Sequence, residues 1–258
     1  MNSTDLKYRY SIEAPIGSAM LSADTQVIER PGWYQLVTPA DKTGRMNEVL
    51  VSHMNKADVQ EIVSKIIAQY KELKVSFKWD VGPMSAPDEL RKILLPLANT
   101  NWKFRGMAVD VDLKMEYPSS IVVEKVTEKN YEDYLDGLVL CWREEAGSKD
   151  LIRRKKHILL AEDSIFNSFL ARIDGESVGV SGYVMKSGYG YLIGAAVRPE
   201  FQKRGIYKAL IKARLDDLQK NNVKIAVTAA RESTSAPILE RLGFETMFEA
   251  EIFKFDFT

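Results

Sequence analysis

The stretch Val197-Arg198-Pro199-Glu200-Phe201-Gln202-Lys203-Arg204-Gly205-Ile206-Tyr207-Lys208-Ala209-Leu210 constrains this chain more than any other, because it reads as a strand passing through a basic, glycine-containing turn into a helix. Tyr191 to Val197 is an apolar run of strand length. Beyond the turn, Ile206, Tyr207, Leu210, Ile211, Leu215 and Leu218 recur at helical spacing and leave Lys208, Lys212, Asp216 and Gln219 as a polar stripe. The first turn of a helix carries N–H groups without intrahelical partners and the positive end of the helix dipole. A phosphate or pyrophosphate placed there meets several donors at once. Gly205 is expected to let the backbone come close to such an anion.

Gln202-Lys203-Arg204-Gly205-Ile206-Tyr207, after Val197-Arg198-Pro199-Glu200, resembles the acyl-CoA-binding signature Q/R-x-x-G-x-G/A of the GNAT superfamily of N-acyltransferases. A second block, Ser233 to Phe244, resembles that family's later helix and its Leu-Gly-Phe turn, here Leu242-Gly243-Phe244. Lys224 to Thr228 supplies a strand between the blocks. The resemblance implies that loop amides of Gln202, Lys203, Arg204, Gly205, Ile206, Tyr207 and Lys208 hold the CoA pyrophosphate. It also implies that Ala196 and Val197 lie beside the pantetheine arm, and that Ser233 and Ser235 stand in for hydrogen bonds the family draws from an asparagine. Tyr207 departs from the pattern, standing where the family has Gly or Ala, so its side chain must point away from the phosphates.

Composition narrows the partners. The 36 basic and 36 acidic residues balance, so no net field favours nucleic acid or an anionic membrane, and a small-molecule partner is expected. One cysteine, Cys141, and two histidines, His53 and His157, offer no metal-ligand cluster and no disulfide framework. The start of the sequence has no apolar stretch of signal-peptide length, and no segment approaches the roughly 20 apolar residues of a span. A cytoplasmic protein without metal is expected. The run Arg153-Arg154-Lys155-Lys156-His157 reads as a solvated helix face, since no aromatic residue is interleaved with it.

The fold class expected is α/β (α+β), with two GNAT-like units, each a mixed, mostly antiparallel central sheet flanked by helices. Met115 to Ser120 reads as a linker, which puts one domain at 1–119 and the other at 120–258. In the second, Ile121 to Val126 is a strand, Glu128 to Trp142 a helix with Thr127 as N-cap, and Lys149 to Leu160 a second helix. Ser168–Ile173 and Ser177–Met185 flank Asp174-Gly175 as a hairpin. In the first, Asn47–Val51, Lys56–Leu73, Val75–Val81, Pro87–Ala98 (capped near Ser85) and Gly106–Leu113 repeat the strand-helix-strand-helix-strand order of Tyr191 to Phe255. The turn at Ser52 to Lys56 there has no glycine and no basic pair, so one CoA site per chain is expected, with the first half a degenerate unit.

Catalytic groups are less evident. Such a transfer needs a base for the acceptor amine and commonly a tyrosine for the leaving thiolate. The tyrosine position implied by the resemblance, four residues before Gly243, is Leu239, and the asparagine position is Glu232. The strand Gly188 to Val197 carries no acid. Tyr191, with Tyr189 near it, can place a phenol by the thioester, and Glu144 or Glu145 can act as base or as amine-binding anion, although the first reading of each is a packed aromatic or a solvated helix-end charge. Cys141 reads as a small buried residue. The expected activity is acetyl transfer from acetyl-CoA to a small-molecule or peptide amine by direct attack in a ternary complex, by a monomer or homodimer. A non-catalytic acyl-CoA-binding protein is the alternative, and a tandem acyltransferase with another donor or a larger acceptor is a third.

Overall fold

The computed structural model describes residues 2–142 and 146–257. The first half contains Ser3–Glu13 (α1), Gln26–Arg30 (β1), Trp33–Val37 (β2), Glu48–His53 (β3), Val59–Leu73 (α2), Phe77–Val81 (β4), Ser85–Ala86 (β5), Leu90–Leu94 (α3) and Thr100–Asp110 (β6). The rest contains Val122–Lys125 (β7), Tyr131–Trp142 (α4), Ala146–Arg153 (α5), Lys156–Leu159 (α6), Phe166–Ile173 (β8), Glu176–Lys186 (β9) and Tyr189–Val197 (β10). Ile206–Lys220 (α7), Ile225–Arg231 (β11), Ser235–Arg241 (α8) and Glu245–Phe255 (β12) complete it. This is the mixed α/β architecture that the spacing of apolar residues predicts.

The chain forms two compact units, and they do not divide at 119/120. The first comprises Met1–Met107 together with Ala230–Arg241 and Glu245–Thr258; the second comprises Ala108–Ala229 and Leu242–Phe244. The reason is the destination of β12. It pairs antiparallel with β4, bringing Phe253 opposite Trp79 and Phe255 opposite Phe77. Phe77 stacks on Tyr70 at 4.1 Å and on Phe255 at 4.6 Å, so the last strand of the chain supplies aromatic core to the first unit. The strand order in that unit is β1-β2-β3-β4-β12-β6. Helix α2 lays Val59, Val63 and Tyr70 into the same core.

Two local expectations are corrected here. The helix expected from Pro87 to Ala98 shrinks to the single turn α3, and Ser85 does not cap it. Its hydroxyl instead accepts the Gly82 N–H at 3.2 Å and donates to Asp80 O at 3.1 Å, closing a turn that presents β5 to β3. Nor does Thr127 cap α4: its N–H donates to Asn130 Oδ1 at 2.7 Å, forming a separate turn, and the helix opens after Asn130, whose carbonyl accepts the Tyr134 N–H.

The second unit orders its strands β11-β10-β9-β8-β7, antiparallel except for β10 with β11. Two glycines set how closely helices approach it. A Cβ on Gly179 would stand 2.9 Å from Ile206 of α7, while one on Gly137 of α4 would stand 3.0 Å from Val180. Neighbouring strand residues point to opposite faces, so α7 and α4 cover opposite sides of β9. Asp174 and Gly175, both with positive φ, make the two-residue turn between β8 and β9. Among the described residues no helix is long and apolar enough to cross a membrane.

Candidate functional site

The site grows from an interruption in β10. Ile193 pairs with Gly182 of β9 and Ala196 with Val180, so Gly194 and Ala195 together oppose Ser181. This is a β-bulge, and Gly194 takes the left-handed φ of 59° with open space where a Cβ would project. A bulge bends its strand and increases local twist. On the other edge of β10 the parallel pairing with β11 runs from Tyr189 to Leu192 and stops, Leu192 standing opposite Thr228. Ile193 to Val197 therefore continues past the end of its pairing on that side. A strand edge of this kind can pair with an extended amide-containing ligand.

Beyond Val197, Arg198 to Phe201 makes a tight turn whose arginine is occupied by Glu176 and Glu200. Lys203 (φ 63°) and Gly205 (φ 86°) then take left-handed backbone, and α7 opens at Ile206 without a side-chain cap. The first α7 bond is donated by Ala209 N–H to Gly205 O at 3.0 Å. Among the described residues no partner is recorded for the backbone N–H groups of Lys203 to Lys208. Left-handed residues interleaved in a run of unpaired amides form an anion-binding concavity, and the helix dipole adds to it. Lys203, Arg204 and Lys208 have no acidic partner among the described residues. Arg204 and Arg198 lie over the Phe201 ring at 5.1 and 5.0 Å, which keeps the Arg204 guanidinium beside the turn.

The role expected of Gly205 is corrected in part. A Cβ there would meet Pro118 Cδ at 2.9 Å, so the missing side chain makes room for the segment after β6 and permits the left-handed φ, rather than leaving space over the amides. Tyr207 is half-buried and lies on the α7 face that also carries Arg214, seven residues on. Arg214 is 2 % exposed; it donates to Leu210 O at 3.0 Å and to Gly182 O at 3.2 Å, and burial brings its pKa down to about 10. The Tyr207 phenol is raised by burial, with the Arg214 charge opposing the rise.

The other expected site residues fall as follows. Ala196, Val197 and Gln202 to Lys208 form one continuous segment of the second unit. Tyr191 is half-buried one position before the end of the β10–β11 pairing, opposite Val227, and Tyr189 is buried. Ser233 is exposed and Ser235 half-buried at the start of α8; both belong to the first unit. Glu144 and Glu145 lie outside the described residues. Leu239 is 2 % exposed and is a core residue of α8. Glu232 is engaged by Arg105 at 3.5 Å. Gly194 went unread in the sequence, although a glycine inside an apolar strand is a signal for a bulge.

Cys141 is 9 % exposed, and burial raises its thiol to about 11. It stays protonated at neutral pH, so iodoacetamide should alkylate it far more slowly than a free cysteine up to about pH 9. Mass spectrometry of native protein against unfolded protein checks this; equal labelling of both would refute the assignment.

In the first unit a parallel pair of strands is followed by a third that takes over the edge. Strands β3 and β4 pair in parallel through Glu48–Lys78 and Val49–Trp79, and then β5 takes the β3 edge, Ser85 opposite Ser52 and Ala86 opposite His53. Ser52 N–H donates to Met84 O at 3.3 Å and Met54 N–H to Ala86 O at 3.1 Å. The chain's own backbone fills the edge that β10 leaves open.

Residues 142–256 match the family model of an acetyltransferase (GNAT) domain. No curated protein matches the sequence. Among solved structures, a conserved protein of unknown function from Staphylococcus epidermidis ATCC 12228 is similar with a TM-score of 0.70 at 13% identity, over 92% of this chain and 96% of that one. A GCN5-related N-acetyltransferase from Kribbella flavida is similar at 0.68 and 12%, over 98% and 96%. A tandem GNAT protein from the clavulanic acid biosynthesis pathway is similar at 0.59 and 12%, over 91% and 84%. At such identities these likenesses concern the fold alone. The family likeness is thus carried by residues 142–256, which are similar to a GNAT acetyltransferase domain.

Proposed function

We propose that this protein is an acyl-CoA-dependent N-acyltransferase that uses acetyl-CoA, with its donor site on the second unit. The observation that carries the reading is the continuity of an open strand edge, Ile193 to Val197, with the unpaired amides of Lys203 to Lys208. An extended arm carrying amides and a pyrophosphate needs those two features in that order. The donor supplies an activated thioester. The chain's part is to hold it: β10 backbone for the arm, loop amides for the pyrophosphate, and Lys203 and Arg204 for charge-assisted contacts. Positioning of the two reactants is itself a large catalytic effect, and the acceptor nitrogen loses its proton to a nearby base or to water. Tyr191, close to where β10 parts from β11, is the proposed proton donor, and Glu144 and Glu145 the proposed groups facing the amine.

Location in the cytoplasm and a tandem arrangement with a degenerate first unit belong to the same reading. The latter is supported by β5, which fills the β3 edge, and by the likeness to the clavulanic acid pathway protein. A second reading, a protein that binds acyl-CoA without turnover, is favoured by the burial of Leu239 at the position where the resemblance implies a tyrosine.

Thermal unfolding with and without acetyl-CoA tests the donor site. Saturation at one hundred times Kd stabilises a native state by about 2.7 kcal/mol, a shift of several degrees. Arg204→Glu, at an exposed position, should abolish that shift while leaving the ligand-free Tm unchanged. A shift that survives Arg204→Glu at full size would remove the loop from the site. Release of free CoA thiol in the presence of an amine panel then separates the readings: binding with no turnover of any amine supports the non-catalytic one.

A further inference from the structure

Arg214 is buried in the second unit at 2 % exposure, and among the described residues it has no carboxylate partner. Its pKa of about 10 leaves it charged at neutral pH. Burying a cation without a counter-charge is costly, and an unbranched apolar side chain would fill the space at lower cost. What the guanidinium does there is bond carbonyls. Nε donates to Leu210 O, one turn back on α7, at 3.0 Å, and Nη1 donates across to Gly182 O of β9 at 3.2 Å. Gly182 is the partner of Ile193 in the last regular pair before the β10 bulge, and Ser181 is the residue that Gly194 and Ala195 together oppose. A Cβ on Gly179 would meet Ile206 and Leu210, and the Tyr183 phenol donates to Asp217 Oδ2 at 2.6 Å, so Ser181 between them also faces α7. It is 1 % exposed, and its hydroxyl has no hydrogen-bond partner among the described residues. A bulge interrupts the ladder, and the polar groups it disturbs must be satisfied from elsewhere. Arg214 reaches from α7 to that interruption with more N–H groups than its two bonds use.

We infer that Arg214 is a positioning residue for the donor site: it fixes the β10 bulge against α7, and so holds Ile193 to Val197 in the course that leaves their β11 side unpaired. The inference rests on the proposed donor reading and adds to it a residue that acts through the strand rather than on the donor. Without the guanidinium, Gly182 O loses a charged hydrogen-bond partner, and Gly194, with open space where a Cβ would project, offers no packing to resist a change of course. Ile193 to Val197 can then shift toward a regular strand or fluctuate between courses. The loop amides depend on other restraints, the left-handed residues Lys203 and Gly205 and the approach of Pro118 to Gly205, so they keep their cradle. Loss of Arg214 therefore weakens the hold on the amide-bearing arm and spares the hold on the pyrophosphate.

Amide hydrogen exchange of the full chain without ligand, followed by isothermal titration with acetyl-CoA and with ADP, which has the pyrophosphate but no arm, tests this in wild type, Arg214→Met and Arg214→Lys. Arg214→Met keeps an unbranched stem and removes every N–H group of the guanidinium; Arg214→Lys keeps the charge and can reach one carbonyl. The methionine variant is expected to exchange about tenfold or more faster at Ile193 to Val197 with α7 unchanged, to bind acetyl-CoA about tenfold or more weakly, and to bind ADP as wild type does. Lysine should restore part of both losses, and it carries the test if the methionine variant does not fold. Acetyl-CoA affinity equal to wild type in every variant that folds would overturn the inference while leaving the donor site intact. Equal loss of acetyl-CoA and ADP, with faster exchange spread along α7, would also overturn it, reducing Arg214 to a general support of the helix. If wild type binds neither ligand, the donor reading falls and the inference falls with it.

Discussion

Valine at Gly205 is expected to lower the stability of the protein by about 2–6 kcal/mol and to abolish binding of acetyl-CoA. Two costs add. A β-branched residue at a φ of 86° sits in left-handed space that such side chains avoid, at about 1–3 kcal/mol, and its Cβ would press on Pro118 Cδ at 2.9 Å, an overpacking cost of about 1–3 kcal/mol. If the backbone gives way to relieve either, the left-handed turn flattens and the amides of Lys203 to Lys208 no longer converge. Pro118→Ala in the Gly205→Val background should return the packing part and leave the backbone part, so the double variant should lie between the single variant and wild type. Urea unfolding of the three proteins measures this. A Gly205→Val protein with wild-type stability and wild-type acetyl-CoA affinity would show that the left-handed turn is not needed for either.

The second large effect belongs to the first unit. Trp79→Ala should cost about 3–5 kcal/mol, the range for emptying a fully buried aromatic site. Trp79 has no exposed surface, meets Trp33 edge-on at 6.0 Å, and donates its indole N–H to Ser52 Oγ at 3.0 Å. That bond fixes Ser52, and Ser52 in turn faces Ser85 of β5. Trp79→Phe should cost less, since it keeps most of the ring and loses the donor. Hydrogen exchange should report faster exchange at Ser52 and Met54 in both variants, because those amides bond to the strand that Ser52 helps to seat. A loss below 1 kcal/mol for Trp79→Ala would mean the aromatic cluster is not the core of this unit.

The parts of the fold legible in the sequence are those where one local signal decides the outcome. Strand β10 and helix α7 are readable because an apolar run and a 3.6-residue period meet at Gly205. The β8–β9 hairpin is readable from Asp174-Gly175. Helix α2 is readable because its apolar stripe is nearly unbroken. Partnership is a different kind of information. The apolar positions of Glu245 to Phe255 identify a strand, but whether it joins Phe77–Val81 depends on which edge of another sheet is vacant, and nothing in β12 encodes that edge. Helix α1 escapes the same reading because two of its buried residues are Lys7 and Ser11, which no apolar pattern would select. Ser85–Ala86 is too short and too polar to read as a strand. Of the candidate site, the loop was legible and the end of the β10–β11 pairing was not: where the ladder stops, at Leu192 opposite Thr228, depends on a strand more than thirty residues later in sequence.

The short return of chain at Gly82 to Pro87 also bears on solubility. An uncovered strand edge is a template for another molecule's backbone, and proteins ordinarily blunt such edges. The first unit does so with β5, whereas among the described residues no strand pairs with Ile193 to Val197 on the β11 side. A donor lying along that edge would occupy the groups through which two copies could pair. Preparations stripped of CoA should therefore self-associate more readily than saturated ones, and the concentration at which light scattering rises should climb as the edge is filled.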